Sequence, residues 1–352
     1  MRKILILSDG RPGHANLSDG IAAAIERLGP AQTVRVEVRR GGWPGAVLAA
    51  LVRSRLPART MLQRVYGLQL ADLPAADIVV SAGAETLAAN VWVARGRSIP
   101  NIFYGSLRLF SPLDFTLVLT SYARRASRPH HALALKPSRL DPDQLSGRRA
   151  ADATDSSRPL ATAALIIGGN SGTYTYRDAD WTRLLGFIEQ TARSHGTRWL
   201  VSNSRRTPDA VSDRLAAMVA EGVSPVEQFI DVRQPMAARL SDLLGKVDAV
   251  VCTNDSSSMI SECVWARTPV LGVFPREASL DRDEQSYRDW LSAEGWSREL
   301  AIADLNPATF AQGIAALRPM RSNPLERLSQ LLVNRIPALT APTAPRKAEA
   351  PP

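Results

Sequence analysis

The sequence predicts an α/β protein built from two doubly wound, Rossmann-like domains that face a cleft. Short apolar runs alternate with segments of helical periodicity, as at 3–8 followed by 17–28, and this alternation is typical of parallel βαβ units. The alternation stops in a stretch rich in proline, glycine and mixed charge, and it begins again at 163–167. A chain of 352 residues is long enough for two such cores.

The same pattern sets the expected domain boundaries. An amphipathic helix precedes a C-terminal segment rich in proline and alanine, a composition typical of disorder. The expected divisions are an N-terminal domain at 1–136, a linker at 137–160, a C-terminal domain at 161–322, a last helix at 323–336 and a disordered tail at 337–352.

The composition limits the classes of partner. Lys and Arg number 43 against 34 Asp and Glu, which gives a formal charge of +9 and favours anionic partners such as acidic lipid or nucleotide-sugar diphosphates. Basic residues are not interleaved with aromatic ones, so nucleic acid is not expected. Because no apolar run approaches the length of a signal peptide or a transmembrane span, we expect a cytoplasmic protein.

The cysteines and histidines do not predict a metal site. Cys252 and Cys263 both stand beside apolar residues, which is typical of small core residues. The histidines lack metal-ligand spacing, and His130 and His131 are expected in a polar surface loop. We therefore expect neither a metal nor a cofactor.

The first strand ends in a turn that is a candidate ligand site. His14 stands at or just before the start of the following helix, where a histidine can accept a proton near neutral pH. The alternative is a structural cap or a ligand-orienting hydrogen bond, and a tight βα turn needs glycine whether or not it binds a ligand. The candidate residues on this side are Asp9, Gly10, Arg11, Gly13, His14 and Asn16.

Three turns in the second half carry groups that suit a diphosphate. Glycine backbone, serine hydroxyls, an arginine pair and a helix start are donors to phosphate oxygens, and Glu262, about one helical turn further on, can accept hydrogen bonds from sugar hydroxyls. The alternatives are an ordinary capped helix and a solvated arginine loop. The first turn lacks the lysine of a P-loop, so nucleotide hydrolysis is not expected. The candidates are Gly168, Gly169, Asn170, Ser171, Arg205, Arg206, Asp255, Ser256, Ser257, Ser258, Met259 and Glu262.

The segment 42–70 combines apolar residues with arginines and contains no acidic residue. Such a composition suits docking on an anionic membrane surface. An amphipathic helical hairpin packed on the sheet gives the same pattern, because amphipathicity mostly reports burial. The sequence leaves both interpretations open.

Four of these stretches together resemble the mitochondrial-fission ELM-type family, whose members are assigned as glycosyltransferases. They are the turn from Ser8 to Ser18, the Gly168-Gly169-Asn170 turn, Ser204-Arg205-Arg206-Thr207-Pro208, and the stretch from Thr253 to Glu262. The chain is also distantly similar to the GT-B enzyme that adds N-acetylglucosamine to the lipid-linked peptidoglycan precursor. That enzyme has a glycine-rich turn ending in Gly-His and a ribose-binding glutamate, which match Gly13-His14 and Glu262. The family usually has glutamine where this chain has Leu17.

The resemblance implies a GT-B glycosyltransferase that works without a metal. Its donor would be a nucleotide-sugar and its acceptor a cell-surface glycan or a lipid-linked molecule, as in lipopolysaccharide biosynthesis. The protein would then be cytoplasmic, or peripheral on the inner face of the cytoplasmic membrane, with His14 as the catalytic base. The alternatives are a sugar-nucleotide epimerase of the same fold and a non-catalytic, membrane-associated adaptor, which has no need of Arg205, Arg206 and Glu262 together.

Overall fold

The computed structural model describes residues 1–145, 160–220, 224–234 and 239–340. The chain divides into two compact units. Unit 1 comprises Met1–Arg139 together with the chain from Pro324 on, and unit 2 comprises Leu140–Asn323. Most of the expected linker, residues 146–159, lies outside the described residues.

Unit 1 is built on a six-stranded sheet in which every pairing is parallel. The order β2-β1-β3-β4-β5-β6 places the first strand inside the sheet, next to the point where the winding changes direction. The strands are β1 Arg2–Ser8, β2 Ala31–Glu37, β3 Ile78–Ala82, β4 Asn101–Tyr104, β5 Leu117–Thr120 and β6 His131–Leu133.

Helices cover this sheet and bury its apolar side chains. In β3 all five residues are buried, as expected of a strand packed on both faces. The unit 1 helices in the first part of the chain are α1 Pro12–Glu26, α2 Gly45–Arg53, α3 Ala58–Tyr66, α4 Leu87–Arg97 and the short α5 Ala123–Ala126.

The segment 42–70 forms α2 and α3 and packs into the core of unit 1. Leu48 and Val52 of α2, together with Leu62 and Val65 of α3, are at most 4% exposed. Most of the apolar side chains of 42–70 are therefore buried against the rest of unit 1, as expected for a helical hairpin packed on the sheet. Val47 and Leu56 remain exposed.

Unit 2 repeats the same architecture with a different strand order. Its main sheet is also parallel throughout, in the order β10-β9-β7-β11-β12-β14, which corresponds to the 3-2-1-4-5-6 order of a doubly wound sheet. The strands are β7 Thr162–Ile166, β8 Tyr174–Thr175, β9 Arg198–Ser202, β10 Val226–Ile230, β11 Ala249–Thr253, β12 Val270–Phe274, β13 Glu277–Ala278 and β14 Ser297–Ala301. Of these, β8 and β13 form a separate antiparallel pair.

The core of unit 2 lies around an aromatic cluster. Phe187, Trp199 and Phe310 are at most 1% exposed, and their ring centroids lie 5.4–5.8 Å apart. The helices are α6 Asp178–His195, α7 Asp209–Ala220, α8 Leu240–Leu244, α9 Ser257–Trp265, α10 Arg282–Ala293 and α11 Pro307–Ala315. Residues 235–238, which precede α8, lie outside the described residues.

The last described α-helix, α12 Pro324–Arg335, lies within 323–336, where a helix was expected, and it belongs to unit 1. The expected tail begins with a 3-10 turn, Pro337–Leu339, in which Leu339 is buried. The prediction of disorder from 337 was therefore wrong for these residues, because a buried leucine fixes them. Residues 341–352 lie outside the described part of the chain.

The expectation for His131 was also wrong. His131 begins β6 and is 3% exposed, because pairing with β5 carries it into the sheet. Its Nδ1 lies 2.9 Å from the carbonyl oxygen of Pro129, and burial lowers the pKa of the ring. A three-residue edge strand beside a proline left no periodic signal in the sequence.

Candidate functional site

The turn after β1 places a histidine against a buried carboxylate. Gly10 takes a left-handed φ of 77°, and Pro12 then begins α1, so that His14 lies in the first turn of the helix. Its Nδ1 lies 2.8 Å from Oδ2 of Asp9. The Asp9 side chain is 2% exposed, whereas that of His14 is 32% exposed. Since a carboxylate accepts hydrogen bonds, this contact favours the neutral tautomer in which Nδ1 carries the proton and Nε2 keeps a free lone pair.

Gly83, immediately after β3, makes this pair possible. Its φ of 92° lies in the left-handed region, and a Cβ there would lie 2.3 Å from Nδ1 of His14. No other residue type fits without displacing the imidazole. Gly83 is not among the candidates chosen from the sequence. The available signal was a glycine directly following a buried strand.

The other residues predicted on this side have smaller roles in the geometry. The backbone N–H of Arg11 donates to Asp9 at 3.2 Å and that of Gly10 donates to the Ser8 hydroxyl at 3.2 Å, so both fix the turn. A Cβ on Gly13 would meet open space, and Asn16 is exposed. Asp9 and His14 are thus the two side chains that the turn brings together.

In unit 2, the turns after β7, β9 and β11 converge on the Asp255 carboxylate. Its Oδ2 accepts a hydrogen bond from the backbone N–H of Gly169 at 3.1 Å and one from the Arg206 guanidinium. The hydroxyl of Tyr176 donates to Oδ1 at 3.3 Å. The Asp255 side chain is fully buried, whereas that of Arg206 is 43% exposed. Gly169 and Arg206, both predicted to donate to a diphosphate, therefore already donate to the Asp255 carboxylate.

The two glycines of the first turn allow this close packing. A Cβ on Gly168 would lie 2.0 Å from the Asp255 carboxylate, and one on Gly169 would lie 2.0 Å from the carbonyl oxygen of Arg206. The N–H of Gly168 also donates to the Thr253 hydroxyl at 2.7 Å. The glycine pair therefore joins the ends of β7, β9 and β11.

The remaining predicted residues of these turns differ in how far they are engaged. The Asn170 side chain accepts a hydrogen bond from the N–H of Tyr176 at 2.7 Å, and the N–H of Ser171 donates to Tyr174 at 2.9 Å. Arg205 is exposed beside Arg206. Asn170 and Ser171 hold the turn's shape, while Arg205 presents its charge to solvent.

The start of α9 is the third predicted element. Ser256 caps the helix, since its hydroxyl accepts from the N–H of Met259 at 3.4 Å. The hydroxyl of Ser257 donates to Glu284, whereas Ser258 is exposed. The serines therefore divide into one cap, one internally bonded hydroxyl and one exposed hydroxyl.

Sequence reasoning missed Arg288, which lies behind this helix start. Arg288 on α10 is 3% exposed, and its Nη2 donates to the carbonyl oxygen of Asn254 at 2.8 Å and to the Ser257 hydroxyl at 3.2 Å. Its Nη1 lies 3.8 Å from Oε1 of Glu299, while Nε and Nη1 have no hydrogen-bond acceptor within the described residues. A buried cation thus lies against the positive end of α9. In the sequence it looks like any arginine of a polar helix.

Glu262 lies in the second turn of α9 and is mostly buried. Burial raises the pKa of its carboxyl to about 7. In the described part of the chain its side chain accepts no hydrogen bond and joins no ion pair. Such a carboxylate is costly unless a ligand supplies the donors.

The described residues contain no group of three His, Cys, Asp or Glu side chains that could hold a metal ion. Cys252 and Cys263 are free and buried, as predicted. Within the same ranges, no helix has both the length and the apolarity needed to cross a membrane.

A scan of protein-family profiles matches residues 12–325 to the family described as Mitochondrial fission ELM1. The chain belongs to this family. The match covers parts of both units, so the ELM1 family assignment applies to most of the chain, and the predicted family resemblance is confirmed. A search of curated proteins found no match.

Solved structures share the fold of this ELM1-family chain at low sequence identity. MurG from Acinetobacter baumannii is 12% identical, covers 96% of this chain and 99% of its own, and gives a TM-score of 0.54. UDP-GlcNAc 2-epimerase from Methanocaldococcus jannaschii is 12% identical, covers 95% and 100%, and gives 0.53. MnaA from S. aureus, solved with UDP, is 12% identical, covers 96% and 96%, and gives 0.50. The predicted fold class, two Rossmann-like domains of the GT-B type, is confirmed.

Proposed function

We propose that this protein is a metal-independent glycosyltransferase that moves a sugar from a nucleotide-sugar donor to a cell-surface glycan or a lipid-linked acceptor. The observation that carries the proposal is the Asp9–His14 pair, a partly exposed imidazole oriented by a buried carboxylate at the end of a sheet strand. A general base of this kind assists the transfer of a sugar to a hydroxyl by taking the hydroxyl proton. Membership of the ELM1 family and a fold shared with a UDP-bound protein support the choice of donor.

In the proposed reaction, Nε2 of His14 takes the proton of the acceptor hydroxyl. The acceptor oxygen bonds to the anomeric carbon of the donor sugar as the bond between that carbon and the diphosphate oxygen breaks. The nucleoside diphosphate leaves with the electron pair. Asp9 stabilises the imidazolium that forms and keeps Nδ1 as the donor nitrogen.

Unit 2 supplies the groups that stabilise the leaving diphosphate. Arg206 and Arg205 carry exposed positive charge, and the start of α9 adds the partial charge of the helix. Asp255 accepts one N–H of Arg206, which fixes the guanidinium and leaves its other donors for phosphate. Glu262 accepts hydrogen bonds from hydroxyls of the donor.

Replacement of His14 by alanine tests the base. We expect His14→Ala to abolish sugar transfer, measured with labelled nucleotide-sugar, while UDP still raises the melting temperature by mass action. Glu262→Ala should instead weaken donor binding. His195→Ala, an exposed histidine at the end of α6, is the matched control and should keep both properties.

Unchanged transfer by the His14 variant contradicts the base assignment. Isomerised sugar, formed from the donor with no acceptor present, supports an epimerase instead. Donor binding without any chemistry supports the adaptor.

The proposal places the protein in the cytoplasm, in contact with an anionic membrane through 42–70. Val47 and Leu56 are 40% and 45% exposed there, beside Arg53 and Arg55, in a segment with no acidic residue. We expect sedimentation with phosphatidylglycerol vesicles that added salt and Leu56→Asp both reduce. Equal sedimentation with neutral phosphatidylcholine vesicles would contradict the anionic surface.

A further inference from the structure

Unit 1 contains a cavity of about 390 Å³ at the carboxyl edge of its sheet. Its walls come from the segments after β2, β3 and β4, so it opens where doubly wound sheets bind ligands. This volume falls within the roughly 300–1,000 Å³ range of ligand pockets. The side chains that line the cavity include Arg40, Ala84, Leu87, Arg108, Leu109 and Phe110.

One wall residue of the cavity is the chain neighbour of a glycine that contacts the Asp9–His14 pair. Ala84, in the cavity wall, directly follows Gly83, whose backbone packs against the imidazole of His14 and the carboxylate of Asp9. A molecule in the cavity would therefore contact the chain neighbour of the glycine that packs against the proposed base. This position suits the acceptor.

The chemistry of the walls selects among acceptors. Ala84, Leu87, Leu109 and Phe110 are apolar, and the charged wall residues are Arg40 and Arg108. A sugar hydroxyl donates a hydrogen bond as well as accepting one, and none of the wall side chains is an acceptor, so its proton would be left unpaired at a cost. An uncharged glycan therefore fits these walls poorly, whereas an apolar chain next to an anion fits them well.

The two arginines differ in how they are engaged. Arg40 forms an ion pair with Glu85, with a separation of 2.8 Å between Nη2 and Oε1. The guanidinium of Arg108 has no partner within the described residues, and its backbone takes a left-handed φ of 54°. Arg108 is therefore the cation available to an incoming anion.

Apolar surface continues outward from the cavity. Leu109 and Leu113, in the loop after β4, are 59% and 72% exposed, and Val47 on α2 is 40% exposed. Arg53 at the end of α2 donates to the carbonyl oxygen of Leu109 at 3.1 Å, which joins the helix to this loop. Seven large apolar side chains are exposed in the described chain, and four of them lie in the segment 42–70 or in the loop after β4. These four are Val47, Leu56, Leu109 and Leu113. An apolar chain longer than the cavity would have a surface to follow.

We infer that this cavity binds the lipid-phosphate part of the acceptor, and that the acceptor is an amphiphile: a sugar that carries the reacting hydroxyl, joined through phosphate to a long apolar alcohol, with the phosphate at Arg108. The inference rests on the proposed function and chooses the lipid-linked acceptor over a free glycan.

Calorimetric titration of the full chain with geranyl phosphate, geraniol and inorganic phosphate tests it. We expect geranyl phosphate to bind at least about tenfold more tightly than either fragment alone, because the apolar and the charge-assisted contacts form together. Arg108→Gln should lower affinity for geranyl phosphate and leave geraniol unchanged. Leu109→Asp should weaken both. Arg124→Gln, an exposed arginine on α5, is the matched control and should change neither.

Equal binding of inorganic phosphate and geranyl phosphate would overturn the inference, as would an unchanged affinity in Arg108→Gln. A UDP titration of the same samples separates this failure from that of the proposed function. If the unmodified protein binds UDP but not geranyl phosphate, the inferred acceptor class is wrong and the proposed function stands. If the unmodified protein does not bind UDP, the proposed donor and the transferase function are contradicted.

Discussion

Asp9 contacts the His14 ring although its side chain is nearly inaccessible to solvent. Its carboxylate fixes both the ring orientation and the nitrogen that carries the proton. An asparagine has the same shape but can present an N–H to the ring, which would place the lone pair on the wrong nitrogen.

We therefore expect Asp9→Asn to lower kcat by roughly 10²–10⁴-fold, the usual contribution of a general base. Donor affinity should stay the same, as measured by titration with UDP. Asp72→Asn, at an exposed position of the same unit, is the control. A variant with normal kcat would show that the carboxylate only supports the turn.

Glu262 links stability to pH. Its folded pKa of about 7 lies above the ordinary 4.5 because of burial. The folded state thus holds the proton more tightly than the unfolded one, so this carboxyl contributes stability that is full below 4.5 and is lost as the pH rises through 7.

Glu262→Gln removes this dependence. We expect the variant to exceed the natural protein in free energy of unfolding by roughly 1–3 kcal/mol near about pH 8, with no excess near about pH 4. Urea unfolding at both pH values measures the difference. An equal difference at both pH values would mean that packing, and not ionisation, separates the two proteins.

At the scale of elements, α10 holds the first turns of α9. Glu284, Tyr287 and Arg288 lie on one face of α10, since they are three and four residues apart. They contact Ser257 and Ser261, which share a face of α9. The proposed diphosphate-binding end of α9 therefore depends on a second helix for its orientation.

Arg288→Met keeps an unbranched side chain and removes the charge and the hydrogen bonds of the guanidinium. We expect the KM for the donor to rise about tenfold, equivalent to about 1.4 kcal/mol, with a smaller change in kcat. Arg288→Lys should recover part of the affinity because it restores the charge. Arg282→Gln, exposed on the same helix, is the control. If the methionine variant lost stability with an unchanged KM, Arg288 would be a packing residue only.

The strand order explains why distant motifs meet. In unit 2 the order β9-β7-β11 makes neighbours of three strands that are separated in the chain, and their carboxyl ends carry Arg206, Gly169 and Asp255. In unit 1 the pairing of β1 with β3 brings Gly83 to His14.

At the scale of the whole molecule, the last described α-helix packs against the first helix of unit 1. α12 packs on α1: the Ser329 hydroxyl donates to the carbonyl oxygen of Ala24 at 2.7 Å, and Arg27 pairs with Glu326 at 2.7 Å. Leu328 and Leu332 are 4% and 0% exposed. The helix that carries His14 is thus supported by a segment about 300 residues later.

Leu332→Ala should lower the stability of unit 1 by about 2–5 kcal/mol, because it leaves a cavity under α12. Hydrogen exchange followed by mass spectrometry should show faster exchange in α1, with α9 unchanged. Gln330→Ala, exposed on α12, is the control. Uniformly faster exchange in both units would show that the chain unfolds as a single unit.

The sequence by itself determined the fold class, most strands and helices, the family and the turns that hold the candidate residues. These features follow from local periodicity, helix-stop and turn residues, and short motifs. The tertiary structure alone decided that Asp9 faces His14, that Gly83 contacts both, that Asp255 occupies donors of Gly169 and Arg206, and that Arg288 is buried behind α9. It also placed His131 in a strand and α12 on α1. The physical reason is that these contacts join residues brought together by strand order and helix packing, and a side chain's burial depends on neighbours that local sequence does not contain.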